Sequence, residues 1–258
     1  MQTKLNTHKI LTKKIILHIP HSSTKIPIME GFVVDEAALK QEIGKLTDWF
    51  TDDLFYSASD EMIIADFSRI FCDPERFTDD SLEIMAQYGM GVLYEKNDDG
   101  KRIRTVTPDL RERILRNYYR KHHERFNRAV NEQLQLHGKV IIIDCHSFPN
   151  HPLKRDLDQN SNRPDFNIGT DPFHTPQQLT DVSVDFFNRL GYSLGVNRPY
   201  SGSIVPMDYY QNNKNVQTIM LEVNRKLYLK EGSTEKSDNY SEIKRITNEF
   251  IKTIKTCW

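Results

Sequence analysis

Three short stretches hold the residue types that could do chemistry together: His18-Ile-Pro-His21-Ser-Ser, Asp144-Cys-His146-Ser147 and Glu222-Val-Asn224-Arg225. Imidazoles and a carboxylate are the usual zinc ligands of hydrolytic sites, with the fourth position left to water. Such an ion acidifies that water and polarises a carbonyl, while a nearby carboxylate that binds no metal moves the proton. His21 and His146 are the candidate ligands and Glu222 the candidate proton carrier. The third ligand is less obvious. An HxxE spacing from His21 would need an acid at position 24, where Thr24 stands. The nearest candidate is Asp48 in Leu-Thr-Asp-Trp-Phe, an aspartate inside an expected helix, where Asp is a poor former. Bland alternatives stay open. Asp48 would otherwise be a solvated helix residue, Glu222 a partner of Arg225 or a lysine, and each histidine a cap or loop residue.

Other chemistries have less support. The chain has no GxSxG elbow, no phosphate-cradling glycine loop and no dinucleotide fingerprint. Cys145 and His146 are neighbours on an expected strand, so they point to opposite faces, and Cys145 reads as core.

What must position these residues is a set of short apolar runs alternating with helical periods. Strands are expected over 15–19, 62–66, 139–144 and 216–223, the third an uninterrupted β-branched run suited to a centre covered on both faces. Helices are expected over 39–55, 110–136 (ending at His137-Gly138), 179–190 (ending at Gly191) and 241–256, from apolar residues at three- and four-residue spacing. Alternation of this kind implies one α/β domain whose mostly parallel, mixed sheet carries helices on both faces. Its core spans about 15–256, behind a polar N-terminal extension, 1–14. In such sheets ligands bind beyond the carboxyl ends of the strands, which is where the three polar stretches fall. The stretches 73–109 and 150–178, rich in Asp, Gly, Pro and Asn, read as long functional loops.

Composition removes several classes of function. With 35 Lys plus Arg against 36 Asp plus Glu, the charge balance gives no support to a nucleic-acid partner. No apolar run approaches a membrane span, and 15–19 is too short for a signal sequence. A soluble, cytoplasmic protein is expected, its oligomeric state unread. Three scattered cysteines, 72, 145 and 257, form neither a disulfide framework nor a CxxC zinc site.

Taken together, the motifs resemble the N-formylglutamate amidohydrolase family. They are His-Ile-Pro-His21-Ser-Ser, Leu-Thr-Asp48-Trp-Phe, Ser-Arg69 with Asp-Pro-Glu-Arg76, Tyr119 and His123, Asp-Cys-His146-Ser147, Asn197-Arg198-Pro-Tyr200-Ser-Gly, and Leu-Glu222-Val-Asn-Arg. They run in order from about 15 to 230. The resemblance implies a fold similar to the zinc carboxypeptidases, one zinc on His21, Asp48 and His146, and Glu222 as general base. It implies a small-molecule substrate bearing carboxylates, N-formylglutamate first, held by Arg69, Arg76 and Arg198 with Asn197 and Tyr200 nearby. Each arginine could otherwise form a surface ion pair. The stretch Asp66-Phe-Ser-Arg69 departs from the family's Asp-Leu-Asn-Arg at Ser68, a position that bears on the substrate, and the 200–203 loop carries less glycine. Another acylated acid, a peptide carboxyl terminus, a divalent ion other than zinc, a binding protein that has lost the reaction, and an interaction module whose histidines are structural are the remaining alternatives.

Overall fold

The structure is a computed structural model that describes residues 13–258, so the extension expected over 1–14 lies almost wholly outside the described residues. In chain order the main elements are β1 (Ile16–Ile19), α1 (Glu36–Leu46), α2 (Thr51–Leu54), β2 (Glu61–Ile64), α3 (Pro108–Ile114), α4 (Arg120–His137), β3 (Val140–Phe148), β4 (Phe166–Gly169), α5 (Gln177–Leu190), β5 (Leu194–Val196), β6 (Val216–Asn224) and α6 (Tyr240–Lys255). Among the described residues six strands form one sheet in the order β2-β1-β3-β6-β4-β5. All neighbours are parallel except β4, which runs antiparallel to β6. No helix is long and apolar enough to cross a membrane among these residues.

The sheet has two faces because side chains alternate along each strand. Leu17 and Ile19, Ile141, Ile143 and Cys145, and Ile219, Leu221 and Val223 point one way, into a core closed by Phe186 and Phe187 of α5 and by Ile243, Ile246, Phe250 and Ile254 of α6. Each such side chain contributes about 1.5–3 kcal/mol when fully buried. Ile16, Val140, Ile142 and Val216 point the other way, against Phe126, Ala129 and Val130 of α4. Moving toward the strands' carboxyl ends, this second face changes character. Its columns continue as His18 after Ile16, as Asp144 and His146 after Ile142, and as Met220 and Glu222 after Thr218.

Several sequence expectations need correction. The strand expected to stop at 144 runs to Phe148, so Asp144 and His146 lie within β3 rather than beyond it. The helix expected over 39–55 is two helices with a break at 47–50. Local hydrogen bonds make the break: Thr47 Oγ1 donates to the Ile43 carbonyl, and the Asp48 amide donates to the His21 carbonyl rather than back along the helix. Asp48 is therefore a loop residue tied to the end of β1. The helix expected over 110–136 is α3 and α4 joined through one π-helical segment, Leu115–Tyr119, and such widened turns often mark functional positions. The stretch 150–178, expected as loop, contains β4, and β5 went unread because both are too short to show a period. Gly169 ends β4 where a Cβ would meet the Gly202 carbonyl oxygen at 2.2 Å. Only glycine lets the 200–205 segment cross there.

Candidate metal centre

His21, Asp48 and His146 meet at the carboxyl end of the sheet, all buried. Pro20 stops β1 and leaves His21 just beyond its end; the His21 carbonyl in turn receives the Asp48 amide, which brings the helix break over the strand. His21 Nδ1 and His146 Nδ1 are 3.3 Å apart. Asp48 Oδ2 lies 3.0 Å from His146 Nδ1 and 3.7 Å from His21 Nδ1. Donor atoms about 2.0–2.1 Å from one tetrahedral ion would be separated by about 3.3 Å. The spacing and the two-imidazole, one-carboxylate chemistry therefore fit zinc.

The outer nitrogens of the same rings face carboxylates. His21 Nε2 is 2.8 Å from Asp73 Oδ1, and His146 Nε2 is 3.1 Å from Asp144 Oδ1 and 3.2 Å from Glu75 Oε1. A ring that donates outward to a carboxylate presents its other nitrogen, as a lone pair, inward. Two further groupings could also hold an ion, His18 with Glu75 and Asp144, and His21 with Asp73 and Glu75. Each has only one imidazole, whereas His21, Asp48 and His146 offer two, so that set has the better donors for zinc.

Charge argues the same way. Asp48 and Asp73 have arginine partners, Arg225 for the first and Arg69 for the second. Among the described residues the ion-pair partners of Glu75 and Asp144 are imidazoles, with the Ile204 amide also donating to Asp144. Although burial opposes it, His146 and the other rings hold the Glu75 carboxyl well below the usual range. Burial likewise disfavours charge on His146, yet Glu75, Asp144 and Asp48 push its pKa well up. Buried carboxylates in excess need positive charge, supplied by imidazolium groups or by a divalent cation.

Glu222 stands beside His146 in register on the adjacent strand. Its Oε2 is buried and has no partner among the described residues. Burial, with Asp48 adding to it against the pull of His146 and Arg225, pushes this carboxyl up to about 8. Arg225 is not its partner: Nη2 donates to Asp48 Oδ1 at 3.0 Å and Nη1 to the Lys45 carbonyl at 2.7 Å. Asp48 thus divides its two oxygens between Arg225 and the imidazoles.

A cleft of about 600 Å³ opens over this centre and is lined by His21, Asp48, His146, Glu222, Arg69 and Arg76, among others. Arg69 donates through Nε and Nη2 to Asp73 Oδ2 and contacts the Tyr94 hydroxyl. Arg76 lies 3.7 Å from Asp73 and 3.9 Å from Glu83, and its buried Nε has no hydrogen-bond partner among the described residues. Asn197 and Tyr200 line the cleft, but their polar atoms are engaged, Asn197 with Thr170 and Tyr200 with Asp156 and Arg163. Arg198 stands apart: it is exposed, does not line the cleft, and contacts Asp158 and the Asn162 carbonyl.

The sequence motifs assign no role to Asp73, Glu75 or Tyr94, and Arg225 enters there only as a partner for Glu222. Asp73 is the hub, accepting from His21, Arg69, the Tyr94 hydroxyl at 2.9 Å and the Glu75 amide. The Asp-Pro-Glu-Arg76 run was the signal for two of these residues, and the position of Arg225 at the end of β6 for a third. Tyr94 has no local signal. The segment carrying Asp73 to Arg76 is pinned from α4 and the π-helical segment. His123 Nε2 donates to the Pro74 carbonyl at 2.8 Å, and the Tyr119 hydroxyl donates to the Arg76 carbonyl at 3.0 Å. Burial holds the His123 pKa down at about 4, so it donates as a neutral ring.

The family model of N-formylglutamate amidohydrolase matches residues 13–229. A solved N-formylglutamate amidohydrolase from Ralstonia eutropha JMP134 superposes with a TM-score of 0.82 at 23% identity, over 96% of this chain and 97% of that one. A gene product from Agrobacterium tumefaciens superposes with a TM-score of 0.66 at 16% identity, over 95% of this chain and 90% of that one. These two likenesses establish the shared α/β fold. No curated protein matches the chain.

Proposed function

The chain belongs to the N-formylglutamate amidohydrolase family, and we propose that it is a zinc-dependent, cytoplasmic hydrolase of the amide bond in small N-acyl amino acids. N-formyl-L-glutamate, the compound in the family's name, is the first substrate to test. The observation that carries the metal reading is the pair of imidazole Nδ1 atoms 3.3 Å apart with Asp48 Oδ2 beside them. His21, Asp48 and His146 would hold the ion. When bound, zinc supplies Lewis acidity, polarising a carbonyl and acidifying a water. Three buried, unbridged cysteines agree with a reducing compartment.

The protein's own groups would do the rest. With a dication beside it to draw its raised carboxyl back to the ionised form, Glu222, adjacent to His146 and with a free Oε2, takes a proton from the attacking water and returns it to the leaving nitrogen. The C–N bond breaks, a C–O bond forms, and from N-formylglutamate the products are formate and glutamate. Arg76 and Arg69, on the cleft wall, bind the substrate's carboxylates, for which guanidinium geometry is suited. Asn197 and Tyr200 shape that wall. Arg198 would reach a substrate only by leaving Asp158. Asp73 and Asp144 fix the rings of His21 and His146 from behind.

Metal content of wild type beside the His146→Ala variant, by elemental mass spectrometry, tests the centre. About one zinc per chain, lost in the variant, is expected; no metal in wild type even after incubation with zinc would sink it. Formate release from N-formylglutamate then tests the reaction.

A further inference from the structure

We infer that the preferred substrates carry an apolar acyl chain longer than formyl, seated in a second chamber beside the metal centre; this rests on the amide-hydrolysis reading above. A groove of about 400 Å³ adjoins the cleft. Glu75, Arg76, Ile84, Ser201 and Met220 line both, so the two spaces share a partition. The groove reaches the outer side of the centre, where Glu75 and Asp144 contact His146 Nε2, and Met220, two residues before Glu222 on β6, lines both spaces.

Its outer wall is of another kind. Leu82, Ile84 and Met207 are 65%, 58% and 55% exposed, Phe77 is 36% exposed, and all four line this groove. Large apolar side chains left in water are ordinarily scattered singly; gathered around a concavity they mark a ligand site. Apart from Arg76 on the partition, whose Nε has no hydrogen-bond partner among the described residues, the main charged groups on the wall are already engaged. His123 donates to the Pro74 carbonyl, Glu83 accepts from the Phe77 and Met85 amides, and Asp171 accepts from the Phe173 and His174 amides. What the groove offers a ligand is hydrocarbon surface.

Charge sets the direction of the substrate. Arg69, Arg155 and Arg225 line the cleft and not the groove, and Arg76 stands on the partition. A molecule with carboxylates at one end and a hydrocarbon chain at the other is oriented by this division, with its amide between the two. N-formylglutamate, whose acyl part is a single carbon, is then the smallest member of the series. The reaction is unchanged: water adds to the acyl carbon, the C–N bond breaks, the carboxylic acid leaves, and the amine keeps the returned proton.

The test is a chain-length series on the zinc-loaded full-length protein: N-formyl-, N-acetyl-, N-butanoyl-, N-hexanoyl- and N-octanoyl-L-glutamate. Each added carbon that enters the groove should raise kcat/KM about threefold to fourfold, making hexanoyl, five carbons longer, about 250- to 1000-fold better than formyl. Leu82→Asp and Met207→Asp, both at exposed positions, should cut hexanoyl turnover about tenfold or more and leave formyl turnover within about twofold. A flat or falling series, or variants that lower every substrate equally, would overturn the inference. Calorimetric binding of the hexanoyl and formyl compounds to zinc-loaded Glu222→Gln keeps the two readings separate. If no amide is hydrolysed, the catalytic proposal fails, and the ratio of these two affinities still decides the chamber: tighter hexanoyl binding supports it and equal binding refutes it.

Discussion

The two faces of one sheet follow different rules. On the α5–α6 face every inward residue of β3 and β6 from Ile141 to Cys145 and from Ile219 to Val223 is apolar and sealed in core. On the α4 face the same strands begin as Val140, Ile142 and Val216 and end as Asp144, His146 and Glu222, equally buried. The first face is held by area removed from water. The second holds charges out of water, which is unfavourable unless each is paired. Its pairing is nearly complete: among the described residues Glu222 Oε2, Arg76 Nε and His122 Nδ1 lack a hydrogen-bond partner, and the first two line the cleft where a substrate would enter. A single pair of strands thus carries stability on one side and chemistry on the other.

Substitutions on the two faces should separate these roles. The largest effect is expected from Glu222→Gln, nearly isosteric, which should lower kcat about 10²–10⁴-fold with the melting temperature hardly changed. Loss of fold instead of rate would show that Glu222 is structural. Ile143→Ala, facing the other way on β3, should destabilise by about 2–5 kcal/mol in denaturant titration while kcat per folded molecule stays near wild type. A matching fall in kcat would mean that the faces are not independent.

Asp73→Asn probes the support of the polar face. It keeps shape but weakens the hold on the His21 ring, so zinc affinity should drop about 10–100-fold in competition with a chelator. KM should rise as well, because Arg69 shares the same carboxylate. An unchanged zinc affinity would remove Asp73 from the centre's support.

The smallest effect belongs to the rim of the apolar face, where Asp53 of α2 meets Lys244 and Tyr240 of α6. Against the cost of burial, hydrogen bonds from Lys244, Tyr240 and Lys236 hold its carboxyl down at about 2. A carboxyl depressed in the folded state stabilises above its unfolded pKa of about 3.9. That contribution fades as pH falls from about 4 through about 2. Being partly exposed and screened, it is worth about 1 kcal/mol or less. The difference in melting temperature between wild type and Asp53→Asn should therefore be present at pH 6 and shrink below about pH 4.

Much of this was readable in the chain because it is local. Alternation along 139–144 and 216–223, and the helical spacing over 179–190 and 241–256, reflect which side chains leave water, and that preference acts residue by residue. The α/β class and the polar ends of three strands followed from it, and so did the nomination of His21, Asp48, His146 and Glu222. Tertiary structure decided what depends on partners far away in sequence. Asp48 left the helix its surroundings suggested because its amide found the His21 carbonyl and its carboxylate found Arg225. Arg225 went to Asp48 instead of Glu222, and Asp73 and Tyr94 joined the centre from a stretch with no periodic pattern. β4 and β5 were too short to announce themselves and exist because β6 offers an edge. Hydrogen bonds to buried charges are allotted among all the donors that reach them, and which donors reach them is settled only when the chain has closed.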